Sequence, residues 1–126
     1  MKKILIVDDS KFSRTIVKKA LESHLKDKGI TVIEASNGKE ALTKLKEEKP
    51  QVVLLDILMP DMTGINVLLE MKKQLNYMPK VIILSALNQE PLVKKALELG
   101  VKEMLVKPVN PKELANVIKK VMEGGG

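Results

Sequence analysis

Short apolar runs alternate with longer amphipathic stretches five times along this chain. Residues 3–7, 30–34, 51–55, 80–84 and 103–106 are mostly rich in Val, Ile and Leu, without period-two alternation. That is the pattern of strands covered on both faces, hence of a parallel sheet. Between and after these runs, apolar residues recur at intervals of three or four. Phe12, Ile16, Ala20 and Leu21 do so within 10–28, and Ala41, Leu42 and Leu45 within 38–48. Ile65, Leu68, Leu69 and Leu75 follow within 64–75, then Leu92, Val93, Ala96, Leu97 and Leu99 within 88–99, and Leu114, Val117, Ile118 and Val121 within 110–122. Each set predicts a helix that lays one apolar stripe on a core and turns Lys and Glu to water.

The punctuation agrees. Gly29 and Gly100 fall just past helices, where a left-handed residue is wanted. Ser10, Asn88 and Asn110 are N-cap types, and Pro111 fits a first helical position. Pro50 and Pro79 stand beside strand starts, where a missing N–H is tolerated. Strictly alternating strands and helices imply one doubly wound α/β domain with right-handed crossovers. In such a fold the site lies outside the carboxyl ends of the strands, where strand order reverses. The domain is expected over residues 1–123, with 124–126 a frayed glycine tail.

Composition narrows the chemistry. The 126 residues suit a single domain with a real core. Cys is absent and His24 is the only histidine, which excludes disulfides and serves zinc poorly; hard cations on oxygen remain. The apolar run after Lys2-Lys3 stops at Asp8, too short for a signal peptide, and no stretch approaches a membrane span, so a cytoplasmic home with no membrane partner is expected. The net charge of +6 invites a nucleic-acid reading. Yet Arg14 is the only arginine among 22 basic residues and aromatics make up 2% of the chain. Bidentate readout and base stacking are therefore poorly served, and the lysine pairs read as solvated helix faces.

Asp is scarce and placed at the ends of apolar runs. Of 16 acidic residues only five are Asp. Asp8 and Asp9 close the first run, Asp56 closes the third, and Asp61 follows shortly after. The other carboxyl ends offer Ser85 and Ala86 on the fourth and Lys107-Pro108 on the fifth. Taken singly, an Asp pair is a turn or a cap, Lys-Pro is a turn, and Ser85 caps a helix. Together, at one edge of a sheet, they are three carboxylates, a hydroxyl and an ammonium. Two carboxylates about 4 Å apart repel by about 4 kcal/mol at an effective dielectric of about 20. A divalent cation such as Mg²⁺ reverses that sign. An Asp beside a cation and a lysine is also a possible covalent acceptor in phosphoryl transfer. Asp61 is read as a turn residue, and His24 and Asp27 as surface residues.

The conjunction resembles the receiver domain of two-component response regulators. The motifs that carry the resemblance are Ile-Val-Asp-Asp-Ser at 6–10, Glu-Ala-Ser-Asn-Gly-Lys-Glu-Ala at 34–41, Leu-Asp-Ile-Leu-Met-Pro-Asp-Met-Thr-Gly at 55–64, Ser-Ala at 85–86 and Val-Lys-Pro at 106–108. The stretch Ser-Ala-Leu-Asn-Gln at 85–89 is similar to stand-alone chemotaxis regulators. The resemblance implies a flavodoxin-like sheet in strand order 2-1-3-4-5, an order the pattern alone does not yield. It implies that Asp56 accepts a phosphoryl group from a histidine kinase. Asp9 would bind Mg²⁺ directly and Asp8 largely through water, with Asp56 and the backbone carbonyl of Leu58 completing the ligands. Ser85 would be the switch hydroxyl, Lys107 would pair with Asp56, and the Lys107–Pro108 bond would be cis.

The kinase would dock on the first helix, where Arg14, Thr15 and Lys18 are placed on the outward face. The output, a downstream protein target, would be reached through the fourth helix, fifth strand and fifth helix. The module is expected to be a monomer and a switch, not a turnover enzyme. Beyond the fifth helix no output domain is encoded, so docking alone or membership of a longer protein both fit. One departure is Met104, where the family usually carries Tyr or Phe. Leu58 and Leu87, each two residues past a site residue, offer no polar group to orient water, so slow self-dephosphorylation is expected. A pseudo-receiver that binds without phosphorylation is the alternative, and the intact residue set speaks against it. A nucleotide- or flavin-binding domain would want a Gly-rich turn where Asp8-Asp9-Ser10-Lys11 stands.

Overall fold

A computed structural model describes residues 2–25, 29–86 and 88–124. The elements run β1 (Lys2–Val7), α1 (Lys11–Leu25), β2 (Ile30–Ala35), α2 (Gly38–Glu48), β3 (Val52–Asp56), α3 (Gly64–Gln74), β4 (Lys80–Ser85), α4 (Glu90–Glu98), β5 (Glu103–Val106) and α5 (Pro111–Gly124). All neighbouring strands are parallel, in the order β2-β1-β3-β4-β5. Both the doubly wound class and the 2-1-3-4-5 order are as expected. Helices cover both faces. Ile4, Ile6, Val52, Leu54, Ile82, Leu84 and Leu105 pack against α1 and α5. Leu5, Val7, Val53, Leu55 and Ile83 pack against α2, α3 and α4. The missing alternation in the sequence thus has its cause: odd and even positions are both buried.

Several expectations shift by a residue or a turn. Asp56 and Ser85 are the last residues of their strands, not the first beyond them, because the ladder to the neighbouring strand still holds there. α1 buries Val17, Ala20, Leu21 and Leu25, whereas Phe12 and Ile16 are left 77% and 42% exposed. The apolar periodicity of that helix therefore runs past the core it faces. α4 begins at Glu90 after Gln89, and Asn88 is not its cap; Asn88 takes a φ of +70°, a left-handed turn that Asn tolerates. The caps at Ser10 and Asn110 form, each side-chain oxygen accepting the N–H three residues on. Gly29 and Gly100 adopt the expected positive φ. His24 is exposed. Gly124 ends α5, while Gly125, Gly126, Asp27 and Leu87 lie outside the described residues.

Two features hold the loop between β3 and α3. Gly64 opens α3 against the end of β3, donating its N–H to Ile57 at 2.8 Å. A Cβ there would lie 2.9 Å from the Ile57 Cα and 3.1 Å from the Asp56 carbonyl oxygen. Asp61 is more than a turn residue: its carboxylate accepts the Gly38 and Lys39 N–H groups at 3.1 and 3.2 Å, capping α2 from a distant loop. Desolvation pushes its carboxyl up, but the donors from Gly38, Lys39 and its own loop outweigh that and hold it below the ordinary 3.8.

Gly64→Ala should destabilise the protein by about 1–3 kcal/mol, because backbone and not a flexible side chain must yield. The urea midpoint should fall with an unchanged slope. Asp61→Ala should cost about 1 kcal/mol at pH 7. A lowered folded pKa means that this contribution is complete above the unfolded value and disappears as pH falls through the folded one. The gap between wild type and Asp61→Ala in pH-dependent denaturation should therefore close below about pH 4.

Candidate functional site

The register brings the scarce aspartates together. β1 and β3 are neighbours, and Val7 pairs with Leu55, so Asp8 and Asp56 follow at the same level. The strand order reverses at this junction, the place beyond the carboxyl ends where doubly wound sheets bind their ligands. Period-two alternation does the rest. Asp8 continues Ile4 and Ile6, Asp56 continues Val52 and Leu54, and Lys107 continues Leu105, all on the α1/α5 side of the sheet. Single main-chain bonds extend the ladders past the strands: Asp8 N–H to Ala35 O at 3.1 Å, Ile57 N–H to Leu84 O at 3.0 Å, and Lys107 N–H to Ser85 O at 2.7 Å. The main chain is thus tied for one residue past the strand ends. The Lys107–Pro108 peptide is cis, as expected.

Asp8, Asp56 and Ser85 are buried, at 1%, 6% and 1% exposure, while Asp9 is exposed. The Lys107 ammonium bridges two carboxylates, reaching Asp8 Oδ2 at 2.8 Å and Asp56 Oδ2 at 3.0 Å. Its pairing is therefore shared between both, not given to Asp56 alone. The two acids differ in their remaining partners. Burial favours neutral Asp8, but hydrogen bonds from Lys107, Ser13 and the Ser10 N–H, the last at 2.9 Å, hold its carboxyl below the usual carboxylate range. Burial pushes Asp56 up, and Lys107 does not offset it; the neighbouring Asp8 charge adds to the rise, and the Leu58 N–H is distant at 3.4 Å. Asp56 is thus the more basic of the pair. Burial opposes the charge on Lys107, but the two carboxylates raise its pKa and keep it an ammonium.

Asp8, Asp9 and Asp56 each present an oxygen, and these three atoms lie within 4.8 Å of one another. An octahedral Mg²⁺ places neighbouring ligands about 3 Å apart and opposite ones about 4 Å apart. The acidic cluster is therefore of the right size and donor type for a hard divalent cation. One ammonium against three carboxylates leaves charge to be neutralised. Ser85 ends β4, the strand beside β3, one step past the residue level with Asp56. Leu58 is half-exposed and closes the loop through a bridge to Thr63. Met104 is half-buried and packs against the core on the α2, α3 and α4 side.

Two participants carried little signal in the sequence. Asp61 caps α2 across 23 residues. Arg14, placed on an outward face by the helical pattern, instead turns inward with a side chain 13% exposed, and bonds Glu34 and the Asp8 carbonyl. Thr15 is exposed as expected, and Lys18 is half-buried within 3.7 Å of Glu34. A groove of about 620 Å³ exists at the amino ends of β4 and β5, lined by Leu68, Met78, Val81, Val101 and Val121 among others. It lies at the opposite end of the sheet from the carboxylates and contains none of them.

Comparison with known proteins places this geometry in a family. The description "response regulator receiver domain" matches residues 4–119. The chain is 39% identical to the chemotaxis protein CheY of Thermotoga maritima over 95% of its own length and 97% of that protein. It is 38% identical to CheY of Bacillus subtilis, with the same coverage of both chains. Among solved structures, the chemotaxis response regulator CheY4 of Vibrio cholerae superposes with a TM-score of 0.82 at 31% identity, covering 96% of this chain and 98% of that one. No helix among the described residues is long and apolar enough to cross a membrane. With the acidic cluster at the β1/β3 junction, the doubly wound sheet and matches across nearly the whole chain, the protein belongs to the response regulator receiver domain family.

Proposed function

We propose that the protein is a phosphoacceptor switch in which Asp56 takes a phosphoryl group from the phosphohistidine of a sensor kinase. An Asp56 carboxylate oxygen attacks phosphorus; the O–P bond forms as the N–P bond breaks, and the imidazole leaves with that electron pair and takes up a proton from solvent. The observation that carries the reading is the ammonium shared between Asp8 and Asp56, which holds the Asp56 carboxylate within the acidic cluster. Asp8, Asp9, Asp56 and the Leu58 carbonyl would hold Mg²⁺, which supplies charge neutralisation for the transferring group. Lys107 then exchanges a carboxylate partner for a phosphoryl oxygen, and the Ser85 hydroxyl donates to another.

Docking of the kinase is supported by Phe12 and Ile16, exposed one helical turn apart on α1, with exposed Leu58 on the β3–α3 loop. The output runs through α4, β5 and α5 to a protein target. Leu97 and Val106 are exposed on those elements, and a 2.8 Å ion pair between Lys120 and Glu103 ties α5 to β5. Met104 takes the place of the aromatic switch residue, and its flexible thioether can fill or leave the pocket behind β5. The protein acts as a cytoplasmic monomer, touches neither nucleic acid nor membrane through this domain, and catalyses only its own phosphorylation and dephosphorylation.

Incubation with acetyl phosphate and Mg²⁺ should give one phosphoryl adduct by intact mass, lost in Asp56→Asn and on omission of Mg²⁺. A wild-type protein that never gains the adduct is a module that binds partners without phosphorylation. The phospho-form should be long-lived. Leu58→Asn, alone or with Leu87→Glu, should shorten its half-life about tenfold, within the reach of a polar group that orients water; an unchanged half-life refutes the idea that these leucines slow dephosphorylation by offering water no polar group.

A further inference from the structure

Arg14 is the only arginine of the chain, and it is largely covered although it lies in the first turn of a surface helix. Its Nε donates to Glu34 Oε1 at 3.0 Å, and its Nη1 donates to the Asp8 backbone carbonyl at 2.7 Å. On the other side of the same residue, the Asp8 N–H donates to the carbonyl of Ala35. Glu34 and Ala35 are consecutive at the tip of β2. The bonds therefore close a ring that ties the Asp8 main chain to β2 both before and after its Cα. Lys18 Nζ, 3.7 Å from Glu34 Oε2, helps to hold the carboxylate that anchors the guanidinium.

The Asp8 carbonyl belongs to the peptide unit that joins Asp8 to Asp9. That unit is planar, so a fixed oxygen fixes the amide nitrogen and Cα of Asp9 as well. Asp9 needs such control more than its neighbours do. Asp8 and Asp56 are set by burial and by Lys107, but Asp9 is exposed. A guanidinium is the group suited to the task, because its donors have a fixed mutual geometry and two of them can be satisfied at once.

We propose that Arg14 is a positioning residue, which orients the Asp8–Asp9 peptide so that the Asp9 carboxylate is preset for the divalent cation. The role rests on the magnesium reading above. It makes a prediction opposite in sign to that of charge alone. Arg14 is a cation near a cation site, so on Coulomb grounds its removal should tighten Mg²⁺ binding. Loss of positioning should weaken it, by about tenfold, as for other groups that orient metal ligands.

The test is titration of the full chain with MgCl₂ by calorimetry, for wild type, Arg14→Ala and Arg14→Lys, alongside thermal melts without the metal. Arg14→Ala should bind about tenfold more weakly. Arg14→Lys, which keeps the charge and most of the stem but not the fixed pair of donors, should fall between. At saturating Mg²⁺ the rate of phosphorylation by acetyl phosphate should return close to the wild-type rate, which a generally loosened fold would not allow. Equal or tighter Mg²⁺ binding by a folded Arg14→Ala overturns the role. If Arg14→Ala melts below the assay temperature, Arg14→Lys decides, and wild-type affinity in that variant overturns it. A wild-type protein that binds no Mg²⁺ overturns the magnesium reading and this role together; wild-type binding with unaltered variants overturns the role alone.

Discussion

Two buried carboxylates share one ammonium at the junction of β1 and β3. Neither Asp8 nor Asp56 could remain charged there alone, because burial without a partner favours the neutral acid. Lys107 makes the arrangement tolerable and does so unevenly. Asp8 gains extra donors from the turn into α1, whereas Asp56 gains little and stays the more basic. With Asp9 beside them the local charge is still negative, which is the electrostatic condition for attracting a hard cation.

The sheet exists, in effect, to keep this balance. Parallel register puts Asp8 and Asp56 at one level, and alternation turns both to the side where Lys107 arrives from two strands away. Main-chain bonds just beyond β1, β3 and β4/β5 prevent the site residues from fraying. The same strands are apolar on both faces, so a slip of register would move core residues as well as site residues. Site geometry and core packing are therefore protected by the same constraint.

The loops are tied in turn to the elements around them. Asp61 joins the β3–α3 loop to the start of α2, and Arg14 joins the β1–α1 turn to β2. Asp61 is satisfied by main-chain N–H groups distant in sequence, and Arg14 by the nearby Asp8 carbonyl together with the distant Glu34 carboxylate. Such bonds leave no periodic trace. A helical wheel puts Arg14 outside and a turn rule puts Asp61 in a turn; both rules are sound locally. The contacts are decided by which loops the finished fold brings side by side. Phe12 and Ile16 show the converse: their spacing is that of a core stripe, but α1 overhangs the sheet and leaves them in water.

The linear chain already specifies the strand and helix alternation, the burial of both sheet faces and the gathering of scarce aspartates at strand ends. These are consequences of local pattern and of the period of each element, and a linear text carries them. Strand order came with the family resemblance and not from the pattern. Tertiary structure alone decided that Lys107 is divided between two acids, that Asp56 is the more basic, and that Arg14 and Asp61 brace the loops. Those outcomes depend on distances of a few ångströms between groups far apart along the chain, which no periodicity records.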